Sequence, residues 1–369
     1  MRHDIETVSA QIVAKFRRSA ALAEAEGIIP YKSEGGRWIA SPYDGNSWWT
    51  GGFWPALMWQ LYTMTHDETF LREARRVEEL LGEELRRFVY LNHDVGFMYL
   101  LSDGADYKLT GNEQARVDTL HAASILMGRF DPVGFIRAWN SPDQQGYAIV
   151  DCMMNLSLLF WASRQTNDPR FAHVARIHAD TCLREFVRPD GSVSHIIEFD
   201  PETGTRVKEH PGQGYCLGSS WSRGQSWGLY GFTLAYMNTK DERYLQTACR
   251  IADYFCAHIR EDGLTDCDFC QPKDEPRLDN IAGAIASCGL QELAKLTGRD
   301  SYQAQAERLL DGILDHCADL SEQSCGILTH CTAAYHDDGA GRHTNITYGD
   351  YFFVEALAKL KGTDPMLWL

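Results

Sequence analysis

The chain has 369 residues, 44% hydrophobic and 23% charged, close to globular averages, which excludes a disordered or fibrous protein. Thirty-five basic against 51 acidic residues leave a formal charge of −16, which argues against nucleic acid or an anionic membrane as partner. No apolar run approaches the roughly 18 residues of a membrane span.

Residues 4–25 read as an amphipathic helix without the apolar stretch of a secretory signal. From there the chain repeats itself. Thr65, Asp67, Phe70 and Ala74 recur as Thr166, Asp168, Phe171 and Ala175, then as Thr239, Asp241, Tyr244 and Ala248. A fourth copy reads Thr297, Arg299, Tyr302 and Ala306. After each copy the apolar positions stay on one helical face, as in Phe70, Ala74, Val77, Leu81 and Leu85. The Asp of each copy is an expected N-cap, and Pro169 suits a first helical turn.

Ahead of each threonine lies a more apolar helix, expected to be buried on most sides: PALMWQLYTM, VDCMMNLSLLFWASRQ, SWGLYGFTLAYMN and IAGAIASCGLQELAKL. Weaker members are Thr110-Gly-Asn112, which precedes ARVDTLHAASILM, and GDYFFVEALAKLKGT, which ends at Thr363. Six inner helices, five outer ones and the N-terminal helix as the sixth outer member make six hairpins. The threonines are unevenly spaced, from 45 residues (Thr65 to Thr110) to 73 (Thr166 to Thr239), unlike a solenoid with a constant period. The expectation is one all-α domain over residues 1–369, a closed toroid of six hairpins or (α/α)6 barrel; an irregular helical solenoid is the alternative. GSVSHIIEF and CGILTHCTA would be loops or small hairpins at one rim.

The eleven cysteines are an odd number, and several fall at helix-core spacing. They read as small buried hydrophobes in a reducing cytosol. Cys267 and Cys270 form one CxxC, but no second pair stands at zinc-site spacing.

In such a toroid the loops before the inner helices surround one mouth, and here they carry aromatics, acids and amides. That composition suits a sugar ring, with its apolar face and hydroxyl rim. Asp151 opens a helix among Ile149, Val150, Cys152 and Met153. Desolvation and a second carboxylate would keep it protonated near neutral pH for general acid work, whereas the structural reading makes it a helix cap. Asp94, between His93 and a Gly-Phe turn, is the second candidate acid. His195 reads as catalytic or as structural, and Arg223, between two tryptophans, as a carboxylate binder or an indole stacker.

The segments WWTGGFW, HDVGFMY, IVDCMMNLSLLFWAS, SHIIEFDPETG, SSWSRGQSWGLYGF and YGDYFFVEAL resemble, in order, those of the unsaturated glucuronyl hydrolases of glycoside hydrolase family 88. The resemblance runs from about residue 45 to 360 and implies an (α/α)6 barrel. It also implies release of a 4,5-unsaturated glucuronic acid from the non-reducing end of oligosaccharides made by polysaccharide lyases. The family reaction hydrates an enol ether, so the retaining and inverting two-carboxylate schemes do not apply. By the resemblance, Asp151 is the general acid and base, and Asp94 steadies the developing positive charge. His195, Gln213, Trp221 and Arg223 would surround the uronate, and Trp49 and Trp227 would be stacking surfaces. No metal or organic cofactor is implied. The partner is a small oligosaccharide with a terminal unsaturated uronic acid, in the cytoplasm; the oligomeric state is left open.

Three departures stand out. Gly51 and Leu217 occupy positions where the family usually carries Asp. The stretch AAYHDDGAGRH replaces a Ser/Lys sulfate-binding motif, which favours unsulfated fragments, although Arg342 and His343 could substitute. Related unsaturated rhamnogalacturonyl hydrolases typically carry Asn where Gln225 stands, so the Gln favours the glucuronyl group. A non-catalytic glycan-binding toroid is the rival from another class; it would need no paired acids.

Overall fold

The computed structural model describes residues 1–41, 46–274 and 276–369. The chain is mostly helical. Helix α1 (Ile5–Glu26) leads into strands β1 (Pro30–Glu34) and β2 (Arg37–Ala40), then α2 (Phe53–Thr65) and α3 (Glu68–Arg87). A π-helical turn (Gly96–Leu100) precedes α4 (Asp103–Thr110) and α5 (Glu113–Gly128), followed by the short strands β3 (Phe130–Asp131), β4 (Phe135–Ile136) and β5 (Tyr147–Ile149). Next come α6 (Cys152–Thr166), α7 (Pro169–Glu185), β6 (Ile196–Phe199), β7 (Arg206–His210), α8 (Ser222–Thr239) and α9 (Glu242–Ala257). The chain closes with α10 (Asn280–Thr297), α11 (Asp300–His316), β8 (Asn345–Ile346) and α12 (Thr347–Lys361).

The repeated threonine marks the corner between an inner and an outer helix. Thr166 Oγ1 donates to the Ala162 carbonyl at 2.7 Å and accepts from the Asp168 amide at 3.3 Å. The same pair of bonds recurs at Thr65, Thr239 and Thr297. The residue between threonine and cap is left-handed each time, at His66, Asn167, Lys240 and Gly298. Asp67, Asp168 and Asp241 then cap α3, α7 and α9 as expected, accepting from the amides of Thr69, Arg170 and Arg243. Arg299 offers α11 no such side-chain bond.

Burial follows the predicted division. The inner helices are buried almost all round: every residue of α10 from Asn280 to Leu293 and of α8 from Ser222 to Ala235 is buried. The outer helices bury one stripe, Phe70, Ala74, Val77, Leu81 and Leu85 in α3. Each inner helix packs on the next, α6 on α8, α8 on α10, α10 on α12 and α12 on α2, while α4 and the π-helical turn lie between α2 and α6. Helices α3, α5, α7, α9 and α11 pack on the inner helix before them, and α1 packs on α3 and α12.

GSVSHIIEF is more than a hairpin arm. Strand β6 is the centre of a three-stranded antiparallel sheet, flanked by β5 and β7. Residues in CGILTHCTA make isolated bridges, Leu328 to Ala318 and Cys331 to Thr344. All eleven cysteines are free; seven are buried, whereas Cys216 and Cys270 are exposed. Among the described residues no helix is long and apolar enough to cross a membrane.

Candidate active site

Strand β5 runs directly into Asp151, and its pairing with β6 (Ile149 opposite Ile196) sets Asp151 beside His195. The Val150 amide donates to the His195 carbonyl at 3.0 Å, which fixes the two residues in register. Asp151 occupies the N-cap position of α6, yet its side chain makes no capping bond. The structural reading of this residue as a helix cap is therefore set aside. Its Oδ2 lies 3.5 Å from His195 Nε2.

Asp94 stands at the entry to the π-helical turn, a backbone irregularity often found at functional sites. Its own amide donates to Asn92 Oδ1 at 2.8 Å. Asn155, one turn along α6 from Asp151, ties the two acids together. Its Oδ1 accepts from the Phe97 amide at 2.7 Å, and its Nδ2 lies 3.4 Å from Asp94 Oδ1 and 3.2 Å from the Asp151 carbonyl. Gly96 permits this approach, since a Cβ there would stand 2.6 Å from Asn155 Oδ1. Burial, reinforced by the charge of Asp151, pushes the Asp94 carboxyl well above the usual carboxylate range.

Behind Asp94 lies His93. Its Nδ1 is 2.8 Å from the Ala138 carbonyl, and its Nε2 is 3.2 Å from Asp94 Oδ1. Burial lowers the imidazole pKa to about 4.

The remaining candidates form a stack. The His195 ring lies 4.2 Å from that of Trp221, and the Arg223 guanidinium sits 4.5 Å over the Trp221 ring. Gln213 holds His195 through its backbone, donating its amide to Nδ1 at 3.0 Å. Gly212 makes this close contact possible: its φ is +57°, and a Cβ would collide with His195 Nδ1 at 2.0 Å. Arg223 is buried and paired with Asp279, and it donates to the Thr332 carbonyl at 3.0 Å. It also shares the Ala333 carbonyl with the Gln213 side chain. Arg223 is thus anchored in the protein by Asp279 and two backbone carbonyls.

Trp49 is half-buried against Phe97 and Tyr348, with ring centroids at 5.5 and 4.9 Å. Trp227 is fully enclosed between Phe97 and Phe352. It is buried and offers no open stacking face. Gln225 is likewise interior, donating to the Gly191 carbonyl at 2.7 Å.

The departures are now placed. Gly51 is buried, and a Cβ would meet Leu81 of α3 at 3.3 Å, so this position faces an outer helix. Leu217 is exposed. His343 accepts from the Leu278 amide at 3.0 Å, and burial lowers its pKa, so it contributes no charge for an anion. Among the described residues no group of three or more His, Cys, Asp or Glu is placed to hold a metal ion.

His93, Asn155 and Asp279 were missed as site residues. The His-Asp dipeptide, and the spacing of four between Asp151 and Asn155 on one helix face, were the available signals.

The profile of Glycosyl Hydrolase Family 88 matches residues 28–359, and the chain belongs to that family. It is 37% identical over 329 residues to an unsaturated glucuronyl hydrolase of Bacillus sp. strain GL1, covering 86% of this chain and 87% of the relative. Its fold superposes, with a TM-score of 0.90 and 32% identity, on the crystal structure of an unsaturated glucuronyl hydrolase from Bacillus sp. GL1 described as responsible for the degradation of glycosaminoglycan, covering 96% and 97% of the two chains. A second solved structure is a mutant unsaturated glucuronyl hydrolase from Streptococcus agalactiae complexed with dGlcA-GalNAc6S; the TM-score is 0.82 at 27% identity, over 95% and 91% of the chains.

Proposed function

We propose that this chain is a single (α/α)6-barrel domain over residues 1–369 that releases 4,5-unsaturated glucuronic acid from the non-reducing end of lyase-made oligosaccharides. The observation that carries the reading is the pair Asp94 and Asp151, both buried, tied through Asn155 and each set against a histidine. Asp151 protonates C4 of the enol ether, and positive charge develops at C5 and the ring oxygen. Asp151 then takes a proton from the water whose oxygen bonds to C5. The hemiketal opens and expels the remaining sugar.

Asp94, buried one turn of chain from the aromatic Phe97, steadies the positive charge and orients the ring hydroxyls. His195 and Trp221 line the ring, Trp49 provides an aromatic face, and Gln213 and Arg223 shape the uronate end. The chemistry requires no cofactor. The acidic surroundings of Asp337 and Asp338, with His343 uncharged, favour unsulfated fragments. The free thiols favour a cytoplasmic location.

The test is loss of the ultraviolet absorbance of the conjugated enol-ether acid across a panel of lyase-made disaccharides: unsulfated and sulfated chondroitin, hyaluronan, heparin, ulvan and pectin fragments. Unsulfated glucuronyl disaccharides should lose absorbance fastest. Asp151→Asn should lower kcat by at least about a hundredfold, as expected for removal of a general acid, with binding largely retained. Reaction with pectin fragments alone would favour the rhamnogalacturonyl reading, and absence of reaction throughout would overturn both.

A further inference from the structure

The ends of α3 and α5, with the segments that follow them, enclose a cavity of about 570 Å³, a size that suits a small organic ligand. Phe88, Val89, Leu91 and Ile125 give it apolar walls, and Arg129 and Arg137 give it charge. None of the candidate acids, histidines or tryptophans lines it. It adjoins the candidate active site, because the Ala138 carbonyl that accepts from Arg129 Nη2 at 3.0 Å also stands 2.8 Å from His93 Nδ1.

The two arginines are neighbours without a carboxylate partner. Arg129 donates from Nε to the Arg137 carbonyl at 2.9 Å, from Nη1 to Asn140 Oδ1 at 2.6 Å and from Nη2 to Ala138. Arg137 donates from Nη2 to the Ser141 carbonyl at 2.8 Å, and its Nε is buried with no hydrogen-bond partner. Every one of these acceptors is a neutral oxygen. A guanidinium offers five N–H donors, so Arg129 keeps two to spare and Arg137 four. Burial and the neighbouring guanidinium lower the pKa of Arg129 to about 10, which leaves it charged at neutral pH. Asp131, which also lines the cavity, is held by its own loop, accepting from the Val133 amide at 3.1 Å.

The apolar walls are built and held. Asn140 Nδ2 donates to the Val89 and Leu91 carbonyls at 3.1 and 3.0 Å while its Oδ1 accepts from Arg129, so one amide ties the apolar wall to the charged one. Phe88 ends α3 with a φ of +63°, a strained backbone for an aromatic residue, and it stands exposed together with Val89 and Tyr90. Strain and exposed apolar surface at one place are features of binding sites.

We propose that this cavity is a second binding site, for a small monocarboxylate that carries a ring with an apolar face, as a sugar acid or an aromatic acid does. The ring lies against Phe88, Val89, Leu91 and Ile125, and the carboxylate takes the spare guanidinium N–H groups in charge-assisted hydrogen bonds. The inference goes beyond the proposed reaction and does not rest on it.

The experiment is calorimetric titration of the full chain with benzoate, with benzyl alcohol as the uncharged control and inorganic phosphate as the control without a ring. Benzoate should saturate the protein, and both controls should bind at least about tenfold more weakly. Arg137→Gln, which removes one charge, and Ser124→Glu, which adds a carboxylate at an exposed lining position of α5, should each raise the benzoate Kd about tenfold or more. Failure of benzoate to saturate, equal binding of either control, or a Kd unmoved in both variants overturns the proposal. Should Arg137→Gln fail to fold, Ser124→Glu decides alone, since its side chain bonds only to the Leu120 carbonyl of its own helix. Glucuronate, titrated next, separates the two sources: a Kd that rises in the same variants identifies a sugar acid, and an unmoved one an aromatic acid. No turnover is measured, so a failed disaccharide assay would overturn the proposed reaction and leave this site standing.

Discussion

At the scale of single residues, the site depends on short backbone contacts that admit no side chain. Gly212 is the sharpest case. Its left-handed φ costs a residue with a Cβ about 1 kcal/mol, and the Cβ would collide with His195. Gly212→Ala should therefore push His195 from Asp151 and lower kcat/KM by more than tenfold, while destabilising the protein by only about 1–2 kcal/mol. Parallel measurement of kcat/KM and Tm checks this; a variant that loses Tm with unchanged kcat/KM would show that His195 is not held through this glycine. Asp151 was legible in the sequence as an acid among apolar neighbours, and Asp94 as an acid between His93 and a Gly-Phe turn. The histidine tautomers were not, because they depend on the Ala138 carbonyl and the Gln213 amide, which lie 45 and 18 residues away.

At the scale of elements, the threonine corner explains the repeat. A hydroxyl that bonds backward to the inner helix and forward to the next amide ends one helix, while the following Asp starts the next. Asp241→Ala removes the α9 cap and should cost about 1 kcal/mol, visible as a lower denaturation midpoint. The cap stands where α8 ends, and the proposed catalytic groups precede the inner helices, so kcat/KM should not change; a fall in kcat/KM would count against this separation. Helix positions and burial stripes were readable because the apolar period of 3.6 residues is local. The three-stranded sheet was not, since β6 lies between partners 47 residues before it and about ten after, and only pairing reveals it.

At the scale of the whole molecule, burial of histidine sets the response to acid. His178 accepts from the Ile136 amide at Nδ1, and burial lowers its pKa to about 3; His93 is lowered to about 4. In the unfolded chain both titrate near 6.5, so below that pH the unfolded state binds protons that the folded state refuses. Their contribution is complete above pH 6.5 and is lost as pH falls toward 4, each by about 1.4 kcal/mol per pH unit. Asp350, raised to about 6, acts in the opposite sense between about 4 and 6, so the informative quantity is a difference. Unfolding free energy measured against pH should fall less steeply on acidification in His178→Gln than in wild type; equal slopes would refute the assignment.

The sequence by itself determined the helical hairpins, their order, the two acids and the family resemblance, because helical periodicity, capping and motif spacing are properties of short segments. Only the tertiary structure decided that Trp227 is buried with no open face, that Arg223 is committed to Asp279, and that Gly51 faces an outer helix. It also decided which nitrogen of each histidine meets an acid. These depend on which distant backbone group arrives within about 3 Å, a distance at which one hydrogen bond settles the orientation and the tautomer of a side chain.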